Sequence, residues 1–153
     1  MKEIITLAAA LGLAWGASRL SNAKDILART IWGEARADDD KDGRPDEMEA
    51  VAMVIMNRAR LKKLPVVAVC LAEKQFSAWN IADPNRIKLL TVTDKDAQFK
   101  QALEIAGRAI DGTLKDITGG STHYHTLNIR PYWADSTKLT KIIGNHAFYA
   151  NIA

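Results

Sequence analysis

The sequence lacks the cysteines that hold many small proteins together. Its 153 residues include a single cysteine, Cys70, so no disulfide can form within the chain. Cys70 lies in an apolar run, which predicts core packing. A chain of this length buries about two thirds of its unfolded surface and folds without such links. Internal repeats, linkers and low-complexity tracts are absent too, so we expect a single ordinary domain.

The sequence also lacks a strong excess of charge of one sign. The net charge is +3 and the isoelectric point is near 9.0. No basic stripe interleaved with aromatic residues is present, and we therefore expect no nucleic-acid partner. The mild positive charge is compatible with approach to an anionic polymer or a membrane surface.

No apolar run reaches the length of a typical membrane span. Residues 4–17 are uncharged, but a spanning helix needs roughly 20 apolar residues, and this run is rich in alanine and glycine. Three interpretations remain open. The run is a removable signal peptide with small residues at Ser21 and Ala23, a weak membrane helix, or a buried first helix of the fold.

One acidic residue occupies a position where a helix should be apolar. Leu27, Ile31 and Glu34 are spaced i, i+4 and i+7, on one face of a helix predicted from an N-cap at Asp25 to about Ala37. A carboxyl group on a core-facing stripe loses hydration, which raises its pKa and makes it a proton donor at neutral pH. Glu34 is therefore the candidate general acid. The alternative is a partly exposed glutamate at a helix end.

An acidic cluster after this helix matches the calcium-loop pattern D-x-[DN]-x-[DN]-G-x5-E over residues 38–49. Ca²⁺ takes six to eight oxygen ligands, which alternating carboxylates and a closing bidentate glutamate supply. The predicted ligands are Asp38, Asp40, Asp42, Arg44 through its carbonyl, Asp46 through water, and Glu49. Pro45 departs from the pattern, and no second loop is present to pair with it. The alternative is a solvated acidic loop.

Hydrophobic periodicity predicts further helices. A helix from Asp46 to about Arg60 is apolar nearly all round and should be central. Asn57 and Arg58 interrupt its apolar surface, and we expect a structural amide and a helix-end cation, with substrate contact as the alternative. A short helix follows Pro65. An amphipathic helix from about Asp94 to Ile110 ends at Gly112. Its predicted inward residues are Phe99, Leu103, Ala106 and Ile110.

In the last third of the chain, the pattern of side chains changes from the helical period to the two-residue period of a strand. Residues 119–125 alternate like a strand, with Thr122 and Tyr124 on one face and His123 and His125 on the other. Residues 131–133 and 144–149 add aromatic side chains, which suit the flat faces of sugars but are more often core residues.

These motifs together resemble those of the SleB-type cell-wall hydrolases, the family of spore-cortex lytic enzymes and many phage endolysins. The resemblance runs from about Ile26 to Tyr149, in the family's order. Its motifs are LARTIWGEAR at 27–36 and the segments 48–52, 57–58, 75–77, 119–125, 131–133 and 144–149. The resemblance implies a mainly α (α+β), lysozyme-like helical domain with a short β-element over residues 24–153, preceded by an apolar N-terminal segment, 1–23.

The resemblance also implies a reaction. Glu34 matches the family's catalytic acid, and Gln75, Ser77, Tyr124 and His125 match residues of its glycan groove. The expected reaction is cleavage of the β-1,4 bond between N-acetylmuramic acid and N-acetylglucosamine in peptidoglycan. Ordinary glycoside hydrolysis needs a second carboxylate. No second acid stands out, which favours a lytic transglycosylase and leaves hydrolysis by water open.

Two segments are additions to the family pattern: the predicted calcium loop and the apolar N-terminus. Weak N-terminal helices of this kind occur in signal-arrest-release endolysins. By similarity, we expect a monomeric, phage-encoded enzyme that is exported to the host periplasm and held at the inner membrane before release. Its expected partners are peptidoglycan and that membrane, and its expected cofactor is Ca²⁺.

Two rival interpretations remain. The first is a zinc-dependent peptidoglycan amidase built from His123, His125 and His146, because H-x-H places two imidazoles on one strand face. The second is a calcium-responsive wall-binding module without catalysis, in which Glu34 is incidental.

Overall fold

The computed structural model describes residues 22–35, 45–72 and 75–153. Residues 22–35 are helical and form α1. The elements that follow are α2 (Pro45–Lys62), α3 (Val66–Leu71), a 3₁₀ turn (Ser77–Trp79), α4 (Arg86–Thr91), α5 (Ala97–Asp111), β1 (His123–Thr126), a second 3₁₀ turn (Ser136–Lys138), β2 (Leu139–Ile143) and β3 (His146–Tyr149). Helices with one small sheet confirm the predicted α+β class.

Helix α2 is central, as its apolar circumference predicts. One side packs into the helical core through buried residues that include Val51 and Ile55. The other side places Ala50 and Val54 against Phe148 of the sheet. A helix covered by helices on one side and a sheet on the other needs apolar residues all round.

Helix α1 buries the predicted stripe, since Leu27 and Ile31 are inaccessible to solvent. The predicted N-cap at Asp25 is wrong, because the chain is already helical at residue 22. Asp25 instead accepts a hydrogen bond from Arg29 Nε at 2.8 Å, an i, i+4 ion pair. Arg29 also donates to the carbonyls of Leu89 and Val92, which fixes α1 against the end of α4.

Helix α5 is shorter than predicted, and its buried face is rotated about the helix axis relative to the predicted one. Asp96 caps it by accepting from Phe99 N at 2.9 Å, and Gly112 ends it with φ +82°. Its buried residues are Phe99, Ala102, Ile105, Ala106 and Ala109. The inward position predicted for Ile110 is wrong: 43% of this residue is exposed, because the buried stripe passes through Ala109 instead. Helix α4 was not anticipated from the sequence.

The sheet is antiparallel in the order β1-β3-β2. Tyr124 and Phe148 are paired across β1 and β3 and pack towards α2. His123 and His125 lie on the opposite face, as the alternation predicts. Strand β1 begins later than predicted because Gly119 and Gly120 adopt φ values of +66° and +80° and form a turn.

Two predicted segments fall largely outside the described residues. These are residues 1–21 of the apolar N-terminal segment, and Asp38, Asp40, Asp42 and Arg44 of the calcium loop. Within the described ranges, no helix combines the length and apolarity that crossing a membrane requires.

Candidate active site

Glu34 and Tyr124 form the centre of the candidate site. Glu34 follows the buried stripe of α1 and is itself half-buried. Its Oε2 accepts a hydrogen bond from Tyr124 Oη at 2.8 Å. Burial raises the pKa of the Glu34 carboxyl, while the Tyr124 hydrogen bond and the charge of Arg58 oppose the rise and the charge of Asp83 adds to it. The net direction is upward, as the sequence predicts.

Tyr124 is held by aromatic neighbours on the inner face of the sheet. Its ring centroid lies 5.4 Å from that of His146 and 5.7 Å from that of Phe148. Burial raises the pKa of its hydroxyl well above the usual range, and the adjacent Glu34 raises it further. Tyr124 therefore stays protonated and acts as a hydrogen-bond donor to Glu34.

Arg58 connects α2 to both sides of the site. Its Nε donates to the carbonyl of Thr122, just before β1, and its Nη1 donates to Gln75 Oε1 at 3.2 Å. The guanidinium carbon lies 5.8 Å from the centre of the Phe76 ring. Burial lowers the pKa of Arg58, while Tyr124 and Glu34 raise it electrostatically. The sequence predicts a helix-end cation at Arg58, with substrate contact as the alternative, and gives no sign of these partners.

The segment from Gln75 to Asp83 borders the same site. Gln75 is exposed and reaches it through Arg58, and Ser77 is exposed at the start of the first 3₁₀ turn. Asp83 is half-buried in the turn before α4, where its Oδ1 accepts from Asn85 N at 2.8 Å. Sequence reasoning misses Asp83, because no regular spacing connects it with Glu34.

Asn57 is the structural amide that the sequence predicts. It is buried and donates to Asp116 Oδ2 at 3.1 Å and to the Ser121 carbonyl at 3.0 Å. Asp116 also accepts from the backbone of Thr118 and Gly120. These bonds fix the turn that leads into β1 and so help to place Tyr124.

The three histidines do not converge. His123 and His125 share the outer face of the sheet, where the His125 ring stacks on Tyr149 and its Nε2 lies 2.9 Å from Tyr149 Oη. His146 lies beside Tyr124 on the inner face. The zinc arrangement is therefore wrong, and no set of three or more potential metal ligands comes together among the described side chains. His125 likewise lies away from Glu34, across the sheet.

Two predicted calcium ligands are described. Asp46 is exposed in the first turn of α2. Glu49, in the next turn, accepts a hydrogen bond through Oε1 from Arg108 Nη2 of α5 at 2.6 Å. Arg108 is therefore a cationic partner of Glu49.

A family model described as a cell wall hydrolase matches residues 43–149. The chain belongs to this family. Its structure is similar to the catalytic domain of the germination-specific lytic transglycosylase SleB from Bacillus anthracis, with 25% identity and a TM-score of 0.59. That similarity covers 84% of this chain and 94% of the SleB domain. No curated protein sequence matches the chain.

These comparisons confirm the SleB-type resemblance and the lysozyme-like α+β fold, and they make the chain an enzyme that acts on peptidoglycan. In this cell wall hydrolase, the matched range includes Arg58, Gln75 and Tyr124 but begins after Glu34. The tertiary structure supplies the missing connection, because α1 brings the Glu34 carboxylate to Tyr124 of the matched range.

Proposed function

We propose that this cell wall hydrolase is an endolysin that cleaves the β-1,4 bond between N-acetylmuramic acid and N-acetylglucosamine, with Glu34 as general acid. The observation that carries the proposal is the half-buried Glu34 carboxyl, whose raised pKa and hydrogen bond to Tyr124 suit a proton donor. A wall-binding module without catalysis does not require such a group.

The proposed reaction is a lytic transglycosylation. Glu34 donates its proton to the bridging oxygen as the bond from that oxygen to the muramic anomeric carbon breaks. The resulting Glu34 carboxylate then takes the proton of the muramic 6-hydroxyl, whose oxygen bonds to the anomeric carbon. One carboxyl group thus serves as acid and then as base, and the product ends in an anhydro sugar. The SleB neighbour, named as a lytic transglycosylase, supports this choice.

Hydrolysis by water is the second candidate, and Asp83 is the observation that favours it. A second carboxylate that activates water is the usual partner of the acid in glycoside hydrolysis. Asp83 is close enough to raise the pKa of Glu34, yet one of its oxygens already caps the turn at Asn85.

Mass spectrometry of digested peptidoglycan separates the two reactions. Transglycosylation yields muramic ends lighter by one water than hydrolysis products, and we expect these anhydro ends from the wild type and from Asp83→Asn alike. Hydrated muramic ends that disappear in Asp83→Asn would instead show water-dependent cleavage assisted by Asp83. Products cut at amide bonds would overturn the glycosidic proposal altogether.

We also propose that Ca²⁺ binds the 38–49 loop and holds α1 against α2. The described residues fit this role, because the loop joins the two helices and Glu49 lies on the second of them. Glu49 Oε1 is bound to Arg108, so calcium would share or replace a cation already at this carboxylate. The bound ion would supply positive charge that neutralises the acidic loop.

Chelation tests the calcium proposal. With calcium at about a hundred times its Kd, removal by EDTA is expected to cost roughly 2.7 kcal/mol of stability, a fall in Tm of several degrees. Restored calcium should reverse the change, Glu49→Gln should abolish it, and Glu104→Gln, an exposed glutamate on α5, should not. A Tm that is insensitive to EDTA at all calcium concentrations refutes a structural calcium.

Export to a host periplasm and retention at the inner membrane remain predictions. Their support is the uncharged run at residues 4–17, which precedes the described part of the chain. This localisation is consistent with an endolysin, which must reach peptidoglycan from inside the cell.

A further inference from the structure

Arg58 is a cation that, among the described residues, lowers the pKa of both members of the Glu34–Tyr124 pair. Its Nε donates to the carbonyl of Thr122, two residues before Tyr124. The electrostatic interaction affects both partners: Arg58 lowers the pKa of Glu34 and of Tyr124, and each of them raises the pKa of Arg58. A charge that interacts with the proposed acid inside a partly buried site is screened far less than one on the surface.

The contacts of Arg58 fix the guanidinium in place. Nε is bound to the Thr122 carbonyl and Nη1 to the Gln75 side chain, with the Phe76 ring nearby. The described residues therefore use two of the five N–H groups of the guanidinium. Lysine, with a single flexible ammonium group, cannot make this pair of directed bonds and keep the same position.

The bond to Thr122 also affects Tyr124. Thr122 comes directly before β1, two residues from Tyr124, and its backbone N–H donates to the Tyr149 carbonyl at 2.9 Å. Arg58 thus connects α2 to the segment that presents the Tyr124 hydroxyl to Glu34.

Proton donation by Glu34 creates a carboxylate in a site that disfavours charge. Burial is the largest influence on the Glu34 pKa, and it opposes this carboxylate. A fixed positive charge that is already in place lowers the barrier to such a step without reorganisation. Tyr124 provides a hydrogen bond to the same carboxylate, and Arg58 provides the charge.

We propose that Arg58 is a positioning residue for catalysis: its anchored guanidinium stabilises the carboxylate that Glu34 becomes and holds the Thr122 segment so that Tyr124 meets Glu34. The inference rests on the proposed role of Glu34 as general acid. It goes beyond that role by giving the helix-end cation of α2 a part in the proton transfer.

The test compares Arg58→Met and Arg58→Lys with Arg60→Met. Arg60 is exposed on the same helix, so its replacement makes the same change in net charge away from the site. In Arg58→Met we expect kcat to fall about 10- to 100-fold with little change in KM. The high-pH limb of the pH–activity profile should move to higher pH, because the pKa of Glu34 rises when it loses the positive charge of Arg58. Arg58→Lys should keep the limb near its wild-type position and recover part of kcat, and Arg60→Met should match the wild type.

A direct titration of the Glu34 carboxyl by carbon-detected NMR provides a readout that does not depend on turnover. We expect a higher Glu34 pKa in Arg58→Met than in the wild type and in Arg60→Met. The other charged neighbour, Asp83, is the same in all variants, so it cannot produce the difference. If Arg58→Met does not fold, Arg58→Gln removes the same charge and keeps a polar side chain, and the same rise in the Glu34 pKa and fall in kcat are expected from it.

Three results would overturn the proposal. One is an unchanged Glu34 pKa in Arg58→Met. Another is a higher KM with an unchanged kcat, which would make Arg58 a substrate-binding residue. The third is equal loss of kcat in the lysine and methionine variants together with an equal loss of Tm, which would make its role structural. Failure of the proposed function appears differently, as full activity in Glu34→Gln, and leaves the NMR titration valid.

Discussion

Glu34→Gln is expected to lose about 100- to 10,000-fold of its peptidoglycan-cleaving activity, the usual contribution of a general acid. Glutamine nearly matches glutamate in size and still accepts a hydrogen bond from Tyr124, whose hydroxyl lies 2.8 Å from Glu34 Oε2. It cannot donate a carboxyl proton to a leaving oxygen. Release of soluble muropeptides from purified cell walls measures the loss.

The control for this variant is Glu104→Gln, which removes one negative charge from an exposed position on α5. It should retain wild-type activity. Unchanged circular dichroism of Glu34→Gln would show that the fold is intact. Wild-type turnover by a folded Glu34→Gln would refute the proposed acid, and a wall-binding module would then become the better interpretation.

Glu34→Gln is expected to lower activity but to raise stability relative to the wild type at neutral pH. The folded pKa of Glu34 lies above its ordinary value of 4.5, so the wild type is most favoured below that value and loses stability as pH rises through the folded pKa. Glutamine stays neutral and avoids this loss. The Tm of Glu34→Gln relative to the wild type should therefore increase from acidic to neutral pH.

Gly144→Ala is expected to destabilise the fold by roughly 2–4 kcal/mol, through overpacking and backbone strain together. Gly144 adopts φ +55° in the turn between β2 and β3, and a Cβ there would overlap the Glu47 carboxyl group. Glu47 is buried, accepts from the backbone N of Asn145 and lies 3.6 Å from His146 Nδ1. It cannot move without losing these contacts. Thermal unfolding measures the effect, with an expected fall in Tm of roughly 10 °C.

Gly112→Ala is the matched control. Gly112 has φ +82° and no neighbour within 4 Å of an added Cβ, so its substitution costs backbone strain without overlap. The double variant Gly144→Ala with Glu47→Ala should lose less stability than the sum of the losses in its two single variants, because the shorter side chain at position 47 removes the overlap. Equal losses for Gly144→Ala and Gly112→Ala would show that the Glu47 contact contributes nothing.

The features of the site that depend on local spacing could be predicted from the sequence. The i, i+4, i+7 stripe placed Glu34 on the core-facing side of its helix, and strand alternation separated Tyr124 from His123 and His125. Contacts between distant segments could not be predicted in this way. Asp83 is 49 positions from Glu34, and no periodicity connects a turn to a helix that far away.

The histidines show the same limit. The H-x-H spacing correctly placed two rings on one face, but the position of His146 depended on the pairing of β1 with β3. The observed register pairs His146 with Thr126, which puts its ring beside Tyr124 on the inner face. Periodicity along one strand does not specify which residue of another strand it meets.

The sequence by itself determined the helical class, the central place of α2, the position of Glu34 on the apolar stripe of α1 and the family motifs, because each of these depends on residue types at short, regular spacing. Only the tertiary structure decided that Arg58, Tyr124 and Asp83 surround Glu34 and that the three histidines separate. Those neighbours are set by how helices pack and strands pair, and electrostatic interactions act through space rather than along the chain.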